Sequence, residues 1–207
     1  MQEEALLEHQ SGEGFICFTS QQEAIISGAE EYVLQTSPVK GLFDYWKSLP
    51  ADQGLPLKSA LDPLGMPPRV LPYLFLCELT FVPEFSVYFR LQGTFLSEVL
   101  GQNFTGKYLD ETTFGKDASR VIGHYYRVAT NRVPCVTQER ISSGRGVSMI
   151  MEVIHLPLAD EKGEPRYIIG ALARIQDAVV PETPPENFVS RYWDIEMFSE
   201  IPASFKL

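Results

Sequence analysis

Between Arg90 and Glu111 the sequence reads RLQGTFLSEVLGQNFTGKYLDE, with glycines at 93, 101 and 106. Glycines this dense can wrap a phosphate, but only at fixed spacing: G-x-x-x-x-G-K-[ST] for a P-loop, G-x-G-x-x-G for a dinucleotide turn. Neither pattern fits. Gly106-Lys107 copies a P-loop ending, yet Tyr108 stands where the magnesium-binding hydroxyl belongs. The glycines therefore read as shape: Gly93 turns a strand into a helix, and Gly101 closes that helix in a left-handed conformation. Metal chemistry has no better support. His9, His124 and His155 lie apart from Cys17, Cys77 and Cys135, and no C-x-x-C or H-E-x-x-H spacing occurs. No G-x-S-x-G elbow offers a nucleophile. Asp110 and Glu111 open a helical region, where the helix dipole suits them without any acid–base role. Arg90, on the polar side of a strand, reads as solvated or ion-paired ahead of anion-binding. Met149 and Met151 read as core, although methionine also suits a pliable ligand cavity. With no catalytic set in view, the expectation is a non-enzymatic protein.

Composition narrows the partners. The chain has 207 residues, enough for one sizeable domain with extensions, and a formal net charge of −10. That charge repels nucleic acid and anionic membrane, and no dense Lys/Arg run offsets it. The acidic start MQEEALLEHQSGEG lacks the basic, then apolar, build of a signal peptide. No stretch approaches the roughly 18 apolar residues of a membrane span. Three scattered cysteines make no disulfide framework and fit buried thiols in a reducing compartment. The expectation is a cytoplasmic protein with no nucleic-acid partner and no integral membrane association.

The elements that would position these residues follow from periodicity and punctuation. Ser20 with Glu23 makes a capping box for a helix bearing Ile25, Ala29, Tyr32 and Val33. Ser37 as N-cap and Pro38 in the first turn start a clearer helix. Val39, Leu42, Phe43, Trp46 and Leu49 form its stripe, and Pro50 stops it. Residues 51–73 form a proline-rich crossing loop. LFLCELTF and FSVYFRLQ read as a hairpin, the second with Phe85, Val87, Phe89 and Leu91 inward. A short helix spans Phe95 to Leu100, and a longer one carries Ala118, Val121, Ile122, Tyr125 and Val128 on one stripe. CVTQERI, VSMIMEVIHLPL and RYIIGALARIQ are three more strands, with turns at Ser143–Gly146 and Asp160–Pro165. Tight hairpins make the sheet antiparallel, and the class α+β. Beyond Asp177 a Pro-rich spacer leads to an aromatic-bearing tail, NFVSRYWDIEMFSEIPASFKL.

In this setting LFDYWKSLP (42–50), LDPLGMPPRVLPYLFLCEL (61–79), YFRLQGTFLSEVLGQNFTGKYLDE (88–111) and IHLPLADEKGEPRYIIGAL (154–172) become informative together. Their content and order resemble a bacterial stand-alone branch of the PAS domain family, which carries YW, DP, RLxGT, GxxLTGxxLDE and LPL blocks over about 42–175. The chain departs from that pattern at Asn103-Phe104 and in lacking an arginine before LDP. The resemblance implies a five-stranded antiparallel sheet with helices on one face; the N-terminal helix from Ser20 and the C-terminal tail lie outside it. The chain accordingly divides into an N-terminal extension (1–36), a PAS-like domain with its leading helix (37–177) and the spacer and tail (178–207).

The resemblance also frames the cofactor question. Light-sensing flavin chemistry of the PAS type needs a cysteine after the short helix, where Phe104 follows Asn103. Haem held by a histidine on the long helix would fall to His124, for which a half-buried structural role is the stronger reading. The cofactor is left unassigned. The function implied is a sensory or regulatory module binding a small apolar or amphipathic ligand and signalling through a separate protein partner; the alternative is a ligand-free interaction or dimerisation adaptor. Phe89, Leu91, His124, Tyr125 and Met149 are the candidate ligand-binding residues. The last strand is apolar on both faces, so something covers its outer side: the Trp46 helix, the tail or a second subunit. A homodimer through Leu42, Phe43, Trp46, Ile168 and Leu172 is the expectation, with intramolecular cover by the helix or by Trp193 and Phe198 as the competing account.

Overall fold

The computed structural model describes residues 17–19, 33–52, 54–115, 118–142 and 148–176. The expected helix after Ser20, the turn at Ser143–Gly146 and the aromatic tail lie outside them. In chain order the strands are β1 (Cys17–Thr19), β2 (Ala51–Asp52), β3 (Leu55–Pro56), β4 (Leu74–Thr80), β5 (Ser86–Gln92), β6 (Cys135–Ser142), β7 (Ser148–Ala159) and β8 (Pro165–Arg174). The helices are α1 (Ser37–Ser48), α2 (Thr94–Leu100), α3 (Glu111–Phe114) and α4 (Ala118–Asn131). The five long strands, with β1 added at one edge, make an antiparallel sheet in the order β1-β6-β7-β8-β4-β5. This is the α+β architecture that the sequence pattern implies. The crossing loop holds the β2–β3 hairpin and two 3-10 segments, Lys58–Ala60 and Pro68–Tyr73.

Strand alternation divides the side chains between two cores. Phe75, Cys77, Leu79, Val87, Phe89, Met151, Val153, Ile168 and Leu172 point to an inner face covered by α2, α3 and α4. Leu74, Val136, Ile154, Leu156, Leu158, Ile169, Ala171 and Ala173 point to an outer face, where α1 lays down Val39, Leu42, Phe43 and Trp46. A strand buried on both sides reads as a continuous apolar run, as IIGALA does.

The outer face corrects the expected interface. Leu42, Phe43 and Trp46 are buried within their own chain, because α1 folds back over β7 and β8; the helix is the cover that the sequence left among its alternatives. Ile168 and Leu172 are not on that face at all. Parity puts them inward, against α4's layer, and it is Ile169, Ala171 and Ala173 that meet α1. The five residues therefore form no common surface.

Helix α1 is capped by the sheet. Thr36, rather than Ser37, is the N-cap, and its side chain makes no capping bond within the helix. Instead the wholly buried Glu152 of β7 accepts from Gln35 N (2.8 Å), Thr36 N (2.8 Å) and Thr36 Oγ1 (2.6 Å). A carboxylate at a helix N-terminus satisfies amides that the helix itself leaves open, and its charge suits the dipole. At the other end Trp46 Nε1 donates to the Pro157 carbonyl (3.0 Å), beyond the last β6–β7 pair at Cys135 and His155. Both ends of α1 are thus tied to one strand.

The second hairpin strand departs from simple alternation. Leu76 pairs with Leu91 but Cys77 with Phe89, so Arg90 is an extra residue, a β-bulge. Beyond it the faces exchange. Leu91, expected inward, turns outward and is 45% exposed. Gln92, expected on the polar side, turns inward; it accepts from Phe104 N (3.0 Å) and donates to Gln102 O (2.9 Å) and Ser97 Oγ (3.1 Å), tying α2 and the loop after it to the sheet.

The glycines serve shape, for two different reasons. Gly101 ends α2 at φ 71°, the left-handed region that a β-carbon disfavours. Gly93 is extended (φ −69°), and its requirement is space: a β-carbon there would overlap the Pro72 carbonyl. Lys107 belongs to no phosphate loop. Residues 104–109 instead line the free edge of β5, with Gly106 N donating to Phe89 O, Phe89 N to Lys107 O and Leu109 N to Val87 O.

Candidate functional site

The inner face is mostly apolar, so its polar atoms stand out. Tyr125 of α4 faces the sheet between β4 and β7, where its neighbours are Phe75, Cys77 and His155. The Cys77 thiol donates to the Tyr125 hydroxyl at 3.8 Å. Burial pushes both groups well up from their ordinary pKa values, so both stay protonated at neutral pH. A buried protonated thiol is no nucleophile. Cys135 is buried as well.

His155 lies on the inner face of β7, with its ring 5.0 Å from Tyr125, edge to face, and 5.3 Å from Phe75. It is only 5% exposed, and burial pulls its pKa down to about 4, which keeps it neutral. Among the described residues its Nδ1 has no hydrogen-bond partner. Phe75 reaches this position because Gly170, opposite it on β8, has no side chain; a β-carbon there would strike the Phe75 ring and the Ile154 carbonyl. Toward β6, Thr137 is buried and donates to Glu139 (2.9 Å), whose charge also bears on Tyr125.

A second inner cluster is purely aromatic. Phe104 is fully buried and stacks on Phe114 (4.8 Å), and both rings meet Phe89, at 5.7 Å from Phe104 and 5.9 Å from Phe114. Phe104 is one of the two residues at which the sequence departs from the resembled pattern. Its enclosed ring stands where cysteinyl–flavin chemistry needs a thiol, so the residues here do not suit that chemistry.

The expected ligand residues divide accordingly. Tyr125 joins the His155 group, Phe89 belongs to the aromatic stack, and Met149 is partly buried against the inner core. His124 is fully buried rather than half-buried, on the same helix as Tyr125. Leu91 is on the opposite face. His155 and Glu152 were missed as individuals, although the strand that holds them carried a signal. In SMIMEVIHLPL the inward positions are Met149, Met151, Val153 and His155, which puts an imidazole in line with the core, and Glu152 is the one carboxylate in the run.

Two other sequence readings can be placed. Arg90 pairs with Glu78 (3.4 Å) and lies over the Tyr88 ring, the ion-paired role favoured above anion binding. Asp110 caps α3, accepting from Thr112 N (2.9 Å) and Thr113 N (3.1 Å). The Thr112 hydroxyl leads the hydrogen bonds that hold its carboxyl below the usual range. Among the described residues no helix is long and apolar enough to cross a membrane, and no three His, Cys, Asp or Glu side chains gather as a metal site.

A PAS domain family model matches residues 34–173, well over half of the chain. The chain belongs to the PAS domain family. Members of that family are in general sensory modules rather than catalysts. Among solved structures, one similar chain comes from work titled "Flavin Analogue Sheds Light on Light-Oxygen-Voltage Domain Mechanism"; it is 12% identical, the match covers 53% of this chain and 82% of that one, and the TM-score is 0.35. No curated protein matches the sequence. In this PAS domain, then, the inner space between sheet and helices holds a neutral imidazole, a phenol and a thiol on one side and three stacked phenylalanines on the other.

Proposed function

We propose that this PAS domain is a non-enzymatic sensory module whose small amphipathic ligand lies between the inner face of the sheet and α4, with its polar end hydrogen-bonded to His155. The observation that carries this reading is the partnerless, buried Nδ1 of His155. An unmet buried polar atom costs about 1–3 kcal/mol, and a ligand hydroxyl, amide or amine would remove that cost. A neutral imidazole offers one donor and one acceptor, so it recognises a polar group without demanding a charge. Tyr125, His124 and Met149 are the proposed neighbours of the ligand, with Phe89 at the aromatic end. Signal would leave through β7, whose outer face grips α1 by Glu152 and Pro157, and would pass to a separate protein partner.

One observation favours the adaptor reading instead: Phe104 and Phe114 fill the inner layer beside Phe89, as a permanently packed core would. Native mass spectrometry of gently purified full-length protein separates the two. The sensory reading expects a retained small molecule in the wild type that His155→Leu loses while staying folded. Repeated preparations at the bare chain mass, with no stabilisation by a panel of small amphiphiles, would favour the adaptor.

A further inference from the structure

We infer that the inner site of this PAS domain accepts an amphiphile with an uncharged head, an alcohol or amide, and rejects the matching carboxylate. Glu139 sets the sign of that preference. Granted the sensory reading on which this depends, the groups around His155 decide the charge of the head, and they offer no cation. His155 and Cys135 are direct partners across β7 and β6, and both lie on the inner face. Tyr125 meets the imidazole edge to face at 5.0 Å, while its hydroxyl accepts from the Cys77 thiol. Among the described residues no lysine or arginine side chain is buried.

The charge that does reach this face is negative. The alternation that turns Cys135 inward also turns Thr137 and Glu139 inward along β6. The buried Thr137 hydroxyl donates to Glu139 Oε1 (2.9 Å), and Glu139 itself is half-buried. After burial and the Cys77 thiol, the Glu139 carboxylate adds to the rise in the Tyr125 pKa, and no cation among the described residues acts against it. Arg174 stands across Met151 from Glu139, but it is exposed at the end of β8, where water and salt screen it. A carboxylate entering this space loses its hydration, finds no opposite charge and meets the field of Glu139 as well. A hydroxyl or amide gives up less hydration and recovers a hydrogen bond at Nδ1, whether as donor or as acceptor. An ammonium falls between the two, since it also loses hydration but is attracted by Glu139.

The test is isothermal titration calorimetry on the full-length protein at neutral pH with two matched sets of probes. One set is octanol, octylamine and octanoate; the other is phenylbutanol, phenylbutylamine and phenylbutyrate. In at least one set the alcohol should bind, the amine more weakly, and the carboxylate about tenfold more weakly than the alcohol or worse. Glu139→Gln should narrow the ratio between alcohol and carboxylate, and His155→Leu should abolish binding of the alcohol. If the Glu139→Gln protein fails to fold, the wild-type ratio alone decides the charge of the head. A carboxylate that binds as tightly as its alcohol overturns the inference and leaves the sensory reading standing. A folded Glu139→Gln protein with an unchanged ratio, or an amine as weak as the carboxylate, overturns the part given to Glu139. Binding by no member of either set overturns the sensory reading and the inference together.

Discussion

Replacing His155 by leucine tests the physical account of the inner face, because it removes a polar atom without opening a large hole. At pH 7.5 the wild type carries an imidazole with Nδ1 unmet. Leucine of similar volume should leave the ligand-free protein about 1 kcal/mol more stable, within the range for relieving a buried unpaired group. The pH dependence is sharper. An unfolded histidine titrates near 6.5, and burial holds His155 at about 4 in the folded protein. Between these values the unfolded chain binds the proton and the folded one does not. Stability is therefore full above 6.5 and declines as the pH falls toward 4. Between pH 7.5 and 5 that loss is about 2 kcal/mol. Cys77 and Tyr125, which touch or flank the imidazole, stay protonated throughout this window and add no slope. Urea unfolding of both proteins at pH 7.5, 6 and 5 reads the difference directly. The advantage of His155→Leu should widen by about 2 kcal/mol on acidification, since the variant keeps every other titrating group. Parallel curves would refute the claim that His155 is buried and neutral. A variant less stable at pH 7.5 would show that Nδ1 has a partner after all.

Two further substitutions probe the frame around the site. Glu152→Ala strands the Gln35 and Thr36 amides and the Thr36 hydroxyl, so it should cost about 3 kcal/mol or more in urea unfolding, and Glu152→Gln less; a loss under about 1 kcal/mol would mean that the carboxylate does not hold α1. Gly101→Val should destabilise by about 1 kcal/mol or more through its left-handed backbone, and Gly101→Asn by less. Gly93→Ala should cost more than Gly101→Ala, because its β-carbon meets the immovable Pro72 carbonyl; equal urea midpoints for the two alanine variants would contradict that ordering.

Much of this architecture is local in origin, and the sequence by itself determined it. Pro38 and the Val39–Trp46 stripe make α1, Asp110 caps α3, and Gly101 stops α2, each through neighbours a few residues away. Alternation likewise puts Met151 and Val153 on one side of β7 and Ile154 on the other. What alternation lacks is an absolute sign, and a single inserted residue reverses it. The bulge at Arg90 thus sent Leu91 out and Gln92 in, and the register of β8 against β4 decided that Ile168 and Leu172 face the helices rather than α1. The partners of Glu152 lie more than a hundred residues earlier in the chain, so nothing near it announces a helix cap. His155 is similar. Its type and strand were legible, but its unmet nitrogen is a property of Phe75, Tyr125 and Gly170 arriving from three other elements, and only the tertiary structure brings those together.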